Sequence, residues 1–131
     1  MENFLYNDGG RSAFGSRNKN DCAVRAMSVA CNLGYAEARK RIQSAARSGK
    51  AGNGALSGGV YREDFQVALE AVGWAWQKAP SFVGRKAKHY DMPKGWVIVR
   101  MATHFAAVYS GEIHDVSDCS HKMVYGYWIK N

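Results

Sequence analysis

The pattern of apolar and polar positions predicts helices in the first half of the chain and strands in the second. From residue 20 to residue 33, apolar side chains cover most of a helix circumference. The thin polar stripe that remains consists of Asp21, Arg25, Ser28 and Asn32. Asn20 or Asp21 is expected to cap the first turn. A helix that is apolar on so many sides is expected to lie inside the domain.

Two further helices are predicted after Gly34. Residues 35–48 carry alanines and Ile42 on one side and basic residues on the other. Residues 61–72 are predicted to form a helix with one apolar side, and Gly73 is expected to end this helix. Between these helices, residues 49–59 are rich in glycine. This loop lacks the Gly-Lys-Ser/Thr ending of a phosphate loop, so we expect a connector, or a lid over a substrate cleft.

The second half of the chain has the short apolar runs that are typical of strands. They are predicted at residues 74–78, 96–101, 104–109, 113–116 and 123–129. Helices followed by an antiparallel sheet describe an α+β fold, and residues 1–131 are expected to form a single domain. Residues 1–20 are polar and rich in turns, and are expected to wrap the surface.

The hairpin around Ser110 and Gly111 has a register that can be predicted. With a two-residue turn, residue 109 faces residue 112, and His104 and Asp115 become diagonal neighbours on one face of the sheet. His114 then points to the opposite face. A three-residue turn would reverse this parity, so the prediction depends on the loop.

Composition narrows the class of protein. Of 131 residues, 47% are hydrophobic, which fits a globular domain, and no apolar run approaches the roughly 18 residues needed to cross a bilayer. The first residues lack the basic flank and apolar stretch of an export signal, so a cytoplasmic location is expected, without membrane association. The three cysteines have no framework spacing, which indicates a reducing compartment.

The formal net charge of +7 would draw the protein towards acidic partners, including weak affinity for nucleic acid. The basic residues are scattered, which favours solubility and steering over a dedicated nucleic-acid surface. The alternative is a non-enzymatic module that binds nucleic acid or an acidic protein, with Trp74 and Trp76 as stacking surfaces, although core packing is favoured for these tryptophans. Its basic residues would be Arg39, Lys40, Arg41, Arg47, Arg85, Lys86 and Lys88.

Cys22 lies in the first turn of the central helix. Unpaired amides and the positive end of the helix dipole favour a thiolate there, which lowers the pKa of a thiol and makes the sulfur a nucleophile. The alternative is that Cys22 is one more small buried apolar residue.

Cysteine catalysis also needs a base and a group that orients it. The hairpin supplies His104 as the base and Asp115 as its partner, so Cys22, His104 and Asp115 are the predicted catalytic residues. Asn18 and Asn20, just before the cysteine, could donate to a developing oxyanion, or could simply form turns and caps. A metal site at His114, Cys119 and His121 is a weaker alternative because its spacing matches no standard zinc pattern. No cofactor or metal is expected.

The motifs Asn-Asp-Cys at a helix start, His-Phe-Ala-Ala-Val and Gly-Glu-Ile-His-Asp resemble those of the papain-like cysteine peptidase superfamily. The resemblance is greatest to its small members, such as double-glycine leader peptidases and compact phage-encoded relatives. It covers residue 17 to the C-terminus in architecture, but only these short motifs are specific. Where papain-like enzymes carry an oxyanion-hole Gln, this chain has Ser16. Either Asn18 or Asn20 takes its place, or the backbone N–H of Cys22 works with a less obvious donor.

The resemblance implies a papain-like fold in which Cys22 attacks a carbonyl carbon, His104 moves the proton and Asp115 holds His104. It implies a protein or peptide substrate and a phage or bacterial protein working in the bacterial cytoplasm. Hydrolysis of a peptide, isopeptide or amide bond, acyl transfer to an amine, and deamidation all use the same thioester, so the triad leaves these reactions open.

Overall fold

The computed structural model describes residues 4–131 as four helices and a six-stranded mixed sheet, and this α+β fold agrees with the prediction. The helices are α1 (Arg11–Phe14), α2 (Cys22–Ala30), α3 (Tyr35–Ser48) and α4 (Arg62–Glu70). The strands are β1 (Phe4–Tyr6), β2 (Trp74–Lys78), β3 (Trp96–Met101), β4 (His104–Tyr109), β5 (Glu112–Asp115) and β6 (Gly126–Lys130). Within residues 4–131, every helix is too short or too polar to cross a bilayer.

The strand order in the sheet is β1-β5-β4-β3-β6-β2. Every neighbouring pair is antiparallel except β1 and β5, which run parallel, with Phe4 opposite Ile113 and Tyr6 opposite Asp115. The prediction of a purely antiparallel sheet is therefore wrong at this edge. The added strand is only three residues long, too short to show the alternation that reveals a strand in a sequence.

The alternation of side chains along the central strands gives the sheet two buried faces. On one face, Ile98 and Trp128 pack with residues of α2, α3 and α4, such as Met27. On the other face, Val97 and Val108 pack with residues of the loops, among them Met92, Cys119 and Val124. Helix α2 is almost wholly enclosed, as predicted, and it packs chiefly against β4 and α3.

Helix boundaries follow the sequence signals closely, with three differences. One is that α4 spans Arg62–Glu70 and is shorter at both ends than the predicted residues 61–72. Helix α3 has the predicted bounds, and α2 begins at Cys22 as expected. Helix α2 ends at Ala30, so Gly34 precedes α3 instead of ending α2. The prediction that Asn20 or Asp21 caps α2 through its side chain is wrong, because no side chain makes a capping hydrogen bond there. Asp21 occupies the N-cap position, but its carboxylate is used by other groups described below.

Three strands, β2, β3 and β4, have the predicted bounds. Strand β5 begins and ends one residue earlier than expected, and β6 begins at Gly126, three residues later. Residues 1–20 are predicted to be rich in turns, and residues 4–20 contain β1 and the four-residue helix α1 besides turns. Both elements are shorter than the windows over which hydrophobic periodicity can be recognised. Residues 1–3 lie outside the described residues.

Candidate active site

The hairpin of β4 and β5 has the predicted register. Tyr109 pairs with Glu112, and Val108 pairs with Ile113. The turn contains Ser110 and Gly111, both with positive φ (48° and 87°), as a two-residue hairpin turn of the favoured hand requires. This turn therefore fixes the pairing that brings the start of β4 and the end of β5 together.

His104 and Asp115 form a short hydrogen bond across this hairpin. The distance from His104 Nε2 to Asp115 Oδ2 is 2.6 Å, which is typical of a bond strengthened by charge. Asp115 is buried and His104 is half-buried. Because Nε2 is engaged by Asp115, Nδ1 is the ring nitrogen left to serve another group. The predicted pairing of these two residues is confirmed.

Cys22 opens α2 and lines the same cleft as His104. This open cleft has a volume of about 1280 Å³. Four parts of the chain bound it: the segment that leads into α2, the glycine-rich loop with the start of α4, the turn between β3 and β4, and residues 116–117 after β5. The first-turn amides of α2 have no partners within the helix, so they are available to stabilise negative charge at the sulfur. The structure thus brings Cys22, His104 and Asp115 together.

The surroundings of His104 favour its protonated form. Burial alone would lower the pKa of His104, but the hydrogen bond to Asp115 and the neighbouring Cys119 and Cys22 outweigh it and raise the pKa to about 11. Burial likewise acts to raise the pKa of Asp115, but the hydrogen bond and charge of His104 reverse the direction, with help from the Val116 N–H and Arg25, so that this pKa is lowered. The carboxylate and the imidazolium therefore stabilise each other.

Behind Asp115 lies a second charged group, whose members Asp21 and Arg25 belong to the polar stripe of α2. Arg25, on α2, donates from Nη2 to Asp115 Oδ1 at 3.1 Å and from Nη1 to Asp21 Oδ1. Asp21 also accepts from Arg11 Nη1 at 3.1 Å and from the Tyr35 hydroxyl at 2.7 Å. Asp21, Arg25 and Asp115 are each at most 5% exposed. We call these three residues the buried ion chain.

The signal for the buried ion chain was present in the sequence. Asp21 and Arg25 stand four residues apart on a helix that is otherwise apolar on most sides, and charged residues are almost never fully buried unless they are paired. The local pair was therefore recognisable. The third member was not, because Asp115 is 90 residues further along the chain from Arg25.

Cys119 is a second thiol beside the site. It is buried, and its Sγ lies 3.7 Å from Asp115 Oδ2, to which it donates. His104, Asp115 and Cys119 offer ligand atoms within 4.8 Å of one another, the one group of three or more in residues 4–131 with that geometry. Of the alternative metal trio, only Cys119 belongs to this group: His114 packs against the Trp96 ring, and His121 is exposed.

The candidate oxyanion donors Asn18 and Asn20 hold the glycine-rich loop. Asn18 Nδ2 donates to the Leu56 carbonyl at 3.0 Å, and Asn20 Nδ2 donates to the Ser57 carbonyl at 2.8 Å. Asn20 lines the cleft and Asn18 does not. Each amide group has a second N–H, so an oxyanion role for these residues stays a prediction. Their observed contacts join the loop to the segment that precedes the cysteine.

The glycine-rich loop forms one wall of the cleft. Its start is held by Asp64, a buried carboxylate of α4, which accepts hydrogen bonds from the amides of Lys50 at 2.7 Å and Ala51 at 3.0 Å. Together with the two asparagines, Asp64 ties the loop at both ends. The position of the loop agrees with the idea of a wall or lid beside a substrate.

Four of the residues expected in a nucleic-acid module are engaged in packing or ion pairs. Trp74 is buried, and the Trp76 ring packs against the Trp128 ring with centroids 4.7 Å apart, so the preference for core packing is confirmed. Arg85 is paired with Asp91, and Arg41 with Glu37.

Comparison with protein-family models, with curated proteins and with solved structures found no match.

Proposed function

We propose that this protein is a cysteine-dependent hydrolase of amide bonds, in which Cys22 is the nucleophile, His104 moves the proton and Asp115 orients His104. The observation that carries the proposal is the 2.6 Å bond between His104 and Asp115 in a cleft that Cys22 also lines. A nucleophile, a base and a group that orients the base are the parts that acyl transfer through a thioester requires. The arrangement supports the papain-like resemblance as a proposal about the family.

The reaction begins with a thiolate and an imidazolium. Because the pKa of His104 is raised to about 11, the imidazole is protonated at neutral pH and is poised to give its proton to a leaving group. The Cys22 thiolate attacks the carbonyl carbon, and the carbonyl oxygen becomes an oxyanion. As the tetrahedral intermediate collapses, the C–N bond breaks, the amine leaves with the proton of His104, and a thioester to Cys22 remains.

Hydrolysis of the thioester completes the cycle. Neutral His104 accepts a proton from water, whose oxygen attacks the thioester carbon, and the C–S bond then breaks to release a carboxylic acid and the Cys22 thiolate. The unpartnered amides at the start of α2 are the groups best placed to stabilise the oxyanion in both steps. If an amine takes the place of water, the same site is an acyltransferase, and if the substrate is a glutamine side chain, it is a deamidase.

Alkylation of the thiols tests the nucleophile directly. In a short pulse of iodoacetamide at neutral pH, we expect peptide mass spectrometry to find Cys22 modified first. Cys31 is the internal control, because burial raises the pKa of its thiol to about 12 and keeps it protonated. His104→Ala should slow the labelling of Cys22 by about tenfold or more, since the thiolate loses its cation. Equal, slow labelling of the three cysteines would contradict the proposal.

A turnover assay tests the chemistry. With p-nitrophenyl acetate, the wild type should show a burst of nitrophenol and an acetyl group on Cys22, and both should be lost in Cys22→Ala. The variant Cys31→Ala is the matched control and should keep the burst. Added glycine amide distinguishes the reactions: faster turnover with acetylglycine amide as the product would name a transferase, and acetate alone would name a hydrolase.

A further inference from the structure

The walls of the cleft carry an excess of positive charge. Four cationic side chains line it in addition to the buried Arg25: Lys19, Lys50, Arg62 and Arg100. Within the described residues, one carboxylate lines the cleft. This is Glu63, which is already paired with Lys50 at 3.1 Å. Among residues 4–131, no carboxylate lies within 4.0 Å of the charged groups of Lys19, Arg62 or Arg100. Three cations therefore line the cleft without an acidic partner in the part of the chain that the structure describes.

These three cations come from three of the four parts of the chain that bound the cleft. Lys19 is exposed and lies three residues before Cys22, Arg62 is the first residue of α4 beside the glycine-rich loop, and Arg100 lies near the end of β3, before the turn into His104. The positive charge is thus distributed around the nucleophile instead of lying to one side. A ligand with negative charge at only one end would leave part of it unmatched.

The site itself does not neutralise this charge. In the proposed mechanism the Cys22 thiolate is matched by the His104 imidazolium, and Asp115 is matched by Arg25, which also contacts Asp21. The anions nearest the reacting sulfur are therefore already compensated within the buried ion chain and the triad. A cleft lined by one sign of charge raises the local concentration and the association rate of ligands with the opposite sign.

We propose that the substrate is an acidic peptide segment with Asp or Glu on both sides of the amide bond that is cleaved. The proposal rests on the proposed function, because the thiolate chemistry selects an amide and the surrounding cations select its flanking residues. A peptide is favoured over a nucleic acid because the tryptophans that could stack on bases are taken up by the core. Arg62 and Arg100 present planar guanidinium groups, which suit carboxylates.

Binding can be measured without turnover, so the two proposals can fail separately. Cys22→Ala would be titrated against fluorescein-labelled twelve-residue peptides of Ala and Gly that carry either four Glu or four Gln, and fluorescence anisotropy would be recorded at low salt. We expect the Glu peptide to bind at least fivefold more tightly, and this advantage to shrink as salt is added. Failure of the burst assay would leave this result unaffected.

Charge removal at the cleft provides the matched comparison. In the Cys22→Ala background, Arg62→Gln with Arg100→Gln should weaken binding of the Glu peptide by about tenfold, at roughly threefold to fivefold for each cation. Lys86→Gln with Lys94→Gln removes the same charge from exposed positions that do not line the cleft and should weaken it less than twofold. Circular dichroism would establish that both double variants are folded.

Three outcomes would overturn the proposal. The first is equal affinity for the Glu and Gln peptides. The second is an equal loss in the two double variants, which would reduce the effect to net charge alone. The third is tighter binding of a thymidine oligonucleotide with the same negative charge, with the same dependence on Arg62 and Arg100, which would identify the cleft as a nucleic-acid site.

Discussion

Two arginines of this protein each hold a carboxylate, and their surroundings give the two contacts different roles. Arg85 binds Asp91 through two contacts of 2.7 Å, with 43% of the arginine side chain exposed. Arg25 bridges Asp21 and Asp115 with only 7% of its side chain exposed. Water can replace either partner of the exposed pair, but nothing replaces a partner in the buried ion chain. Geometry alone therefore does not reveal which contact matters.

The largest expected effect comes from breaking the buried ion chain. Arg25→Met keeps the length of the side chain but leaves two buried carboxylates without their shared cation, so the free energy of unfolding should fall by about 3 to 5 kcal/mol. Urea denaturation at neutral pH measures this loss. Arg85→Gln, which removes the exposed arginine, is the control and should change stability little.

If Arg25→Met costs no more than Arg85→Gln, the buried ion chain contributes nothing beyond a surface pair, and the comparison above is wrong. Should Arg25→Met not fold, Arg25→Lys keeps the charge but loses the two-sided contact. It should be less stable than both the wild type and the exposed control Arg85→Gln, but more stable than Arg25→Met.

The next effect concerns pH. The pKa of His104 rises from 6.5 to about 11 in the folded protein, so its protonation adds stability that is fully present below pH 6.5 and is lost as pH rises towards 11. Asp115 has a lowered pKa, so its contribution is present above its ordinary value of 3.8 and is lost as pH falls through the lower, folded value. The pair is therefore expected to stabilise the fold most between these limits.

Unfolding free energies at pH 6, 8 and 10 would test this sign. The difference between the wild type and His104→Gln isolates the histidine from other groups that titrate, and it should shrink steadily from pH 6 to pH 10. In Asp115→Asn, the NMR titration of His104 should move to a lower pKa because its strongest hydrogen-bond partner has lost its charge. If the unfolding free energies of the wild type and His104→Gln differ by the same amount at pH 6, 8 and 10, the imidazole is not held in its charged form.

The smallest expected effect lies at the far end of the buried ion chain. Tyr35→Phe removes the 2.7 Å hydrogen bond to Asp21 but leaves Arg11 and Arg25 in place, so the expected cost is about 2 kcal/mol. The control is Tyr109→Phe, at a half-exposed tyrosine in β4, where the change in thermal unfolding should be close to zero. Equal effects would indicate that the Tyr35 hydroxyl is not a required donor.

Local patterns predicted much of the fold and the centre of the site. The apolar run of β3 and the glycines around α3 give clear boundaries, and the two-residue turn at Ser110 and Gly111 is enough to bring His104 beside Asp115. These features involve residues close in sequence, for which spacing translates directly into geometry. The position of Cys22 at a helix start was recognisable for the same reason.

Contacts between distant segments were not predictable in this way. The parallel pairing of β1 with β5 and the contact of Arg25 with Asp115 join residues about 90 or more positions apart, and nothing in either segment specifies its partner. Cys119 is a simpler case, because it follows Asp115 by four residues but lies in a loop whose path the sequence does not define. The capping prediction for Asp21 was wrong because tertiary contacts compete for its carboxylate.

Asp21 is joined by one peptide bond to Cys22, so the interior anchor and the reactive sulfur cannot be adjusted separately. Replacing buried ions by well-fitted apolar side chains often makes a protein more robust, and such a redesign is an obvious route to a hardier form of this one. Here it would release the backbone that aims the thiol and remove the cation behind Asp115. We therefore expect that replacing the buried ions at the start of α2 by apolar side chains would raise the stability of the fold and lower the reactivity of Cys22.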